Sequence, residues 1–364
     1  MKISEIITVL EEVAPLNLQE SYDNSGLLIG SFNQYIDKVL ITLDVTEAVI
    51  EEAIDENCGL IIAHHPIIFK GIKKITGSNL SERLIVKAIK NDIAIYAIHT
   101  NLDNVLQGVN KRLAEKLELH KVQILQPGKS SLKKLVTFCP VNHLEKVRNE
   151  MFVAGAGHIG NYSDCSFNTA GSGSFKALSG SNPFVGEQGK LHEEEEIRLE
   201  TVVPDYKLQT VIKAMIKAHP YEEVAYDVYP LSNSNPTIGA GMIGELKNEM
   251  DITVFLEKVK QVLGTPYIRH NSLIQRKLKK VAICGGSGSF LIQHAHRSEA
   301  DIFITGDIKY HDFFEYQGEM TIADAGHFET EQFTKDLLYD ILKENFPNFA
   351  LQISRIDTNP VSFL

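Results

Sequence analysis

Residues 59–66 read Gly59-Leu60-Ile61-Ile62-Ala63-His64-His65-Pro66, and no other stretch restricts the fold of this chain as tightly. An apolar run of this length without a polar break is buried on both faces, as a central strand of a mainly parallel sheet is. It ends in two histidines and a proline, so the strand delivers two imidazoles to the carboxyl end of its sheet, where open α/β folds place their sites. Neutral imidazole is the commonest protein metal ligand. Adjacent residues on extended backbone point to opposite sides. The pair therefore serves two ions, or one ion after a turn, or only caps a strand in solvent.

The surrounding chain predicts an alternation of strands and helices. Ser4 to Val13 reads as a helix with Ser4 as its N-cap. Tyr22-Asp23-Asn24-Ser25-Gly26 is a turn cluster, and Lys38 to Leu43 is a strand ending at Asp44. Thr46 to Asn57 is an acidic helix, Ser81 to Asn91 a helix capped by Ser81, and Ile93 to Ile98 a strand running into His99-Thr100-Asn101-Leu102-Asp103. The grammar returns late in the chain. Leu278 to Cys284 is a strand, Gly285 to Ser289 a loop, Phe290 to Arg297 a helix, and Asp301 to Thr305 a strand ending in Gly306-Asp307. A helix through Phe313 precedes Met320 to Ala323, a strand ending in Asp324-Ala325-Gly326-His327. The expected fold is α/β, a composite αβα domain of two pseudo-symmetric halves, residues 1–128 and 236–364, facing one site.

Residues 129–235 have a different texture. Pro127-Gly128-Lys129-Ser130-Ser131 reads as a linker. Lys134 to Cys139, Leu144 to Phe152, His192 to Val203, Tyr206 to His219 and Ala225 to Pro230 then read as strand, helix, strand, helix and strand. With the Gly, Ser and Asn-rich segment 155–175, the order is close to β-α-β-β-α-β, a ferredoxin-like α+β insertion. Its Glu193–Glu196 run is a solvated strand edge.

Composition limits the function. At 364 residues the chain exceeds one ordinary domain, and its 36 basic against 47 acidic residues, net −11, disfavour nucleic acid and anionic membrane as partners. Cys58, Cys139, Cys165 and Cys284 lie far apart with no C-x-x-C, so neither a disulfide framework nor a thiolate zinc site is expected. The chain shows no leader-type segment at its start and no apolar run long enough for a membrane span, so a soluble, cytoplasmic protein is expected.

Four stretches compete for the site: His64-His65, His99 through Asp103, Asp307, and His327 through Glu331. His327 and Glu331 are spaced i, i+4, and on a helix their side chains lie about 40° apart and roughly 6 Å along the axis. The alternative is an exposed helix start, where acids suit the dipole. Taken together, imidazoles with carboxylates suit a pair of borderline divalent ions, zinc first and manganese, iron or cobalt next, and not a magnesium or calcium site. Paired ions of this kind support metal-assisted hydrolysis. His99 is a candidate general base or orienting partner. Asn24, Asp44, Asp307 and His311 are candidates to contact the site or a substrate from nearby turns. Gly286, Ser287 and Gly288 could offer amides to a phosphate ahead of a helix, although a tight turn is the better reading.

Ser21 to Leu27, Ala63-His64-His65-Pro66, His99 to Asp103, Thr305-Gly306-Asp307 with Tyr310-His311, and Gly326-His327 with Glu331 together resemble the GTP cyclohydrolase I type 2 homologue family, also described as Nif-three-like or YqfO-type. The resemblance spans the chain, in the long form with a PII- or CutA-like inserted domain. Asp164 to Phe167, Asn182 to Gly186 and His219-Pro220-Tyr221-Glu222 resemble that insertion. It implies two divalent ions per chain on His64, His65, Asp103, His327 and Glu331, with Glu331 bridging. It also implies a homohexameric toroid and a small, nucleotide-like substrate. Tyr22 stands where family members often carry tryptophan. Metal storage, delivery or sensing without turnover, and a toroidal scaffold, are the other expected classes.

Overall fold

The computed structural model describes residues 1–128 and 131–362. The chain divides into two compact units, Met1–Pro127 together with Thr237 onward, and Gly128–Pro236.

The first unit begins with α1 (Ile3–Val13), then β1 (Gly26–Ile29), β2 (Lys38–Thr42), α2 (Glu47–Asp55), β3 (Leu60–Ala63), α3 (Leu80–Lys90) and β4 (Ala94–Ala97). Its first sheet has the order β1-β4-β3-β2, extended past β2 by a strand from the far end of the chain, Ala350–Ile353. The β2, β3 and β4 strands pair in parallel, and β1 closes one edge antiparallel to β4. The residues of β3 are fully buried. Each of its three large side chains contributes roughly 1.5–3 kcal/mol by leaving water. Alternation sorts the strands' side chains. Val39, Ile41, Leu60 and Ile62 pack on α1, whereas Leu40, Ile61 and Ala63 pack on α2 and α3.

Cap chemistry sets the helix starts and corrects two expectations. Ser4 is inside α1, where Glu5 reaches back to the Lys2 amide at 2.7 Å. Asn79, not Ser81, caps α3 by accepting from the Glu82 N–H at 2.9 Å. Thr46 caps α2 through Val49 N–H.

After α4 (Thr100–Asp103) and α5 (Val109–Lys116), β5 (His120–Gly128) runs to the edge of the second unit. Pro127 and Gly128 are thus strand rather than linker, and Lys129 and Ser130 lie outside the described residues. The second unit holds β6 (Leu132–Pro140), α6 (Leu144–Val153), β7 (Ser166–Lys176), β8 (Leu191–Pro204), α7 (Leu208–Ala218) and β9 (Tyr226–Pro230). Its antiparallel sheet has the order β7-β8-β6-β9. Val147 and Met151 of α6 and Val211 and Met215 of α7 pack on Leu135, Leu199 and Val203.

The first unit resumes with β10 (Asn235–Met250) and α8 (Ile252–Leu263), neither of which the sequence reading identified, then the short edge strand β11 (Arg269–His270). The β12 strand (Leu278–Ser287) continues through Gly285 and Gly286, which had read as loop. It is followed by α9 (Ile292–Arg297), β13 (Ile302–Gly306), β14 (Thr321–Asp324), α10 (His327–Glu331), α11 (Thr334–Asn345) and β15 (Ala350–Ile353). The second sheet has the order β11-β14-β13-β12-β10-β5, with its three central strands parallel. One face packs on α5 and α8, the other on α9. Each half of this unit is therefore a sheet between helices, and α11 with β15 ties the end of the chain into the first sheet. Among the described residues no helix is long and apolar enough to cross a membrane.

Candidate metal centre

The carboxyl ends of β3, β4, β13 and β14 all feed one cluster. Where β3 ends, the amides of His64 and His65 both donate to the Leu43 carbonyl, at 3.1 and 3.0 Å. The backbone has left the extended state there, so the two rings sit 4.9 Å apart rather than on opposite sides. Past β4, His99 turns the chain into α4, whose last residue is Asp103. At the end of β14, Gly326 takes φ +95° and starts α10, which places His327 and Glu331 one turn apart. The helix expected over these residues is present.

Glu331 joins two groups of potential ligands. His65, His327 and Glu331 present ligand atoms within 4.8 Å of one another, and so do His64, Asp103 and Glu331. Glu331 Oε2 lies 3.0 Å from both His65 Nε2 and His327 Nε2, and those two nitrogens are 3.4 Å apart. His64 Nε2 is 3.6 Å from Asp103 Oδ1 and 3.8 Å from Glu331 Oε1.

Each ring's other nitrogen is committed. The Nδ1–H of His64 donates to the Ile98 carbonyl at 2.8 Å, that of His65 to Asp44 Oδ1 at 2.7 Å, and that of His327 to Asp307 Oδ2 at 2.6 Å. A backbone carbonyl can only accept, so His64 Nε2 is left as a lone pair. This arrangement orients imidazole ligands in metal sites. His64 Nε2, Asp103 Oδ1 and Glu331 Oε2 are buried without a hydrogen-bond partner. Buried polar atoms left unpaired are costly, and a cation among them would satisfy all three.

The electrostatics agree. Burial pushes His64 down, keeping it neutral. Burial also opposes charge on His65, but Asp44 and Glu331 outweigh it and lift the ring to about 10. Glu331 and Asp307 do the same for His327, to about 9. Burial and the neighbouring Glu331 drive Asp103 well above the carboxylate range. Glu331 falls well below it, because His327, His64 and His65 outweigh its burial. Without metal the cluster gathers protons where a cation would sit. Cys284 lies nearby, its thiol pushed up by burial, Asp103 and Glu331, and it is not among the grouped ligand atoms. The donor set of imidazoles and carboxylates fits a borderline divalent ion.

Around the cluster the expected residues divide. Asp44 holds His65 and is itself held by Thr358 at 2.8 Å. Asp307, in the left-handed region at φ +56°, holds His327. His99 lies 5.2 Å from the rings of both His64 and His65, and the three histidines can also present ring nitrogens to one another within 4.8 Å. Asn24 does not face the site. Its side chain donates to the Ile68 carbonyl at 2.6 Å and so ties down the loop after His65. His311 is also outside. Asp307 precedes a 3-10 turn, Tyr310–Phe314, so the two residues do not share a helix face, and the exposed His311 ring sits against Tyr310. Gly285–Gly288 is no phosphate cradle. The Gly285 N–H donates to Asn110 and the Gly286 N–H to Thr330, while Ser287 is exposed beside Gly306.

Asp23 was missed as a site residue although it stands in the turn cluster. It accepts from His99 Nδ1–H at 2.8 Å and from the Thr100 N–H at 3.0 Å. These bonds outweigh its burial and hold it well below the carboxylate range. The two residues are 76 positions apart, so their pairing leaves no local trace. A cavity of about 740 Å³ opens beside His65 and His327.

Comparison with known proteins agrees with this fold. The model of the Duf34/NIF3 (NGG1p interacting factor 3) family matches residues 1–360. A Bacillus subtilis (strain 168) protein named GTP cyclohydrolase 1 type 2 homolog is 44% identical over 366 residues, 99% of this chain and 98% of its own. The Halalkalibacterium halodurans protein of the same name is 42% identical over 372 residues, covering all of both chains. Among solved structures, a Bacillus cereus protein related to NIF3 matches with a TM-score of 0.87 at 42% identity, over 100% of this chain and 99% of that one. Staphylococcus aureus protein SA1388 matches at 0.78 and 28%, with the same coverage. Matched by the family model over residues 1–360 and by full-length relatives at 42% and 44% identity, the chain belongs to the Duf34/NIF3 family.

Proposed function

We propose that this centre is a dinuclear, metal-dependent hydrolase site for a small molecule. A GTP cyclohydrolase reaction, the activity in its relatives' name, is one reaction of that class. The observation that supports this reading is the sharing of Glu331 between two ligand groups, one of which reaches the wall of an open cavity through His65 and His327. His65, His327 and Glu331 would hold one ion, and His64, Asp103 and Glu331 the other, with zinc, manganese, iron and cobalt as the candidates.

A bound ion pair supplies Lewis acidity and an activated water. The protein's own residues do the rest. Asp44, Asp307 and the Ile98 carbonyl fix which nitrogen each imidazole presents. His99 is held by Asp23 through Nδ1, which leaves Nε2 to take a proton from water and return it to the leaving group. In this reading His99 is the proton carrier and Asp23 its positioning residue.

The test measures metal content and turnover together in the wild type, Glu331→Ala and His99→Gln. About two ions per chain, lost in Glu331→Ala, with His99→Gln keeping its metal but losing turnover, is the expected result. Readily exchanged metal and no turnover by the wild type would replace this reading with metal storage or delivery.

A further inference from the structure

The cavity beside the metal centre has its own chemistry. Phe69, Leu80, Tyr267 and Val361 line it as exposed apolar side chains, and Phe328 and Pro66 complete its walls. Phe69 is 53% exposed, yet its ring stands edge-on to His99 with centroids 6.2 Å apart. An aromatic side chain left in water at the mouth of a polar site offers a stacking face. The loop that carries it is anchored, since Asn24 holds the Ile68 carbonyl.

The charges in the cavity wall are mostly negative and already engaged. Asp44 is bound to His65 and Thr358, Asp307 to His327, and Glu329 to Asn359. Asp324 accepts from the Ile308 N–H, the Gly326 N–H and Arg269. Among the described lining residues, Arg269 is the one Lys or Arg side chain. Its guanidinium is occupied by Asp324 and the Ile308 carbonyl and lies over the Phe313 ring. A bound metal pair could take one anionic group at the floor of the site, but the walls offer a polyphosphate tail no free cation.

From this we infer that the cavity takes the flat, uncharged ring of an unphosphorylated heterocycle or nucleoside, stacked at Phe69 with its reacting carbon toward the metal ligands. The inference rests on the hydrolase reading for the reaction but not for the binding. It predicts that phosphorylation of a ring ligand gains nothing from the pocket walls.

Calorimetric titration of the metal-loaded protein with guanosine, adenosine, GTP and inorganic triphosphate tests this directly. The nucleosides should bind saturably. Phe69→Ala and Tyr267→Ala should each weaken them about tenfold, the size of one stacking contact, with metal content unchanged. GTP should gain no more over guanosine than inorganic triphosphate shows by itself. The inference fails if neither nucleoside binds, if neither substitution matters, or if GTP exceeds guanosine by more than inorganic triphosphate accounts for. Nucleoside binding with no turnover of any ring substrate would keep the pocket and remove the hydrolase reading. Turnover of a polyphosphorylated substrate, indifferent to Phe69, would do the reverse.

Discussion

Gly286 and Glu331 meet so closely that a β-carbon on the glycine would lie 2.1 Å from Glu331 Oε1 and 3.2 Å from His327 Nε2. The glycine also holds φ at +61°. What reads in sequence as a tight turn or phosphate-binding loop is the end of β12, kept free of side chains so that the carboxylate of Glu331 can reach the cluster. Gly286→Ala should therefore act on the metal centre as well as on stability. The expected loss is about 1–2 kcal/mol in chemical denaturation from the left-handed backbone. Metal affinity should also fall at least about tenfold. A variant that binds metal as the wild type does would show that Glu331 tolerates displacement.

The partners of the imidazoles differ in kind, and this separates the two ligand groups experimentally. Asp44 orients His65 through a side chain, whereas His64 is oriented by the main-chain carbonyl of Ile98. Asp44→Ala should lower metal affinity about 10–100-fold at one position only. A metal titration followed by calorimetry should then resolve one unchanged and one weakened step. Equal weakening of both would mean that the two groups act as a single site.

Asp23 offers a test of proton transfer that leaves the ligands in place. Asp23→Asn keeps the shape of the side chain but removes the charge facing His99 Nδ1–H. Turnover should drop about 10²–10⁴-fold with metal content retained. An unchanged rate would show that the charge of Asp23 plays no part in the proton transfer.

The strands that carry ligands were legible because a run such as Leu60 to Ala63 is apolar throughout, and His327 with Glu331 declared their helix by spacing. The β7 strand was implied only by the β-α-β-β-α-β order and not by its own residues. Its residues, from Ser166 to Lys176, are largely exposed and polar, so no apolar face marks them. The β10 strand hid for another reason. Its glycines Gly239, Gly241 and Gly244 interrupt the apolar run, yet each packs tightly against neighbouring chain. At the site, the ligands stood at strand ends where sequence could find them. Of their partners, Asp44 and Asp307 also stood at strand ends and were named, but Asp23 was not: it meets His99 from 76 positions away, and nothing local distinguishes it from a turn acid.

The second unit carries a pH dependence independent of the metal centre. His219 is buried, with Nε2–H donating to the Phe138 carbonyl at 2.9 Å and Nδ1 accepting from the Tyr221 N–H at 3.1 Å. Both nitrogens are used in the neutral form, and a second proton would break the bond from Tyr221. Burial lowers its pKa below the ordinary 6.5, against the Phe138 carbonyl and Glu196, which favour the charged ring, while His143 opposes it. Below 6.5 the unfolded state then binds more protons than the folded one, so stability rises with pH through that window. The contribution is complete above 6.5 and is lost as the pH falls toward the depressed value. Amide-exchange protection of α7 and β6, corrected for intrinsic rates, should therefore decline from one unit above 6.5 to one unit below it. His219→Gln, which cannot take the proton, should flatten that decline. A decline of equal size in the variant would assign it to other groups.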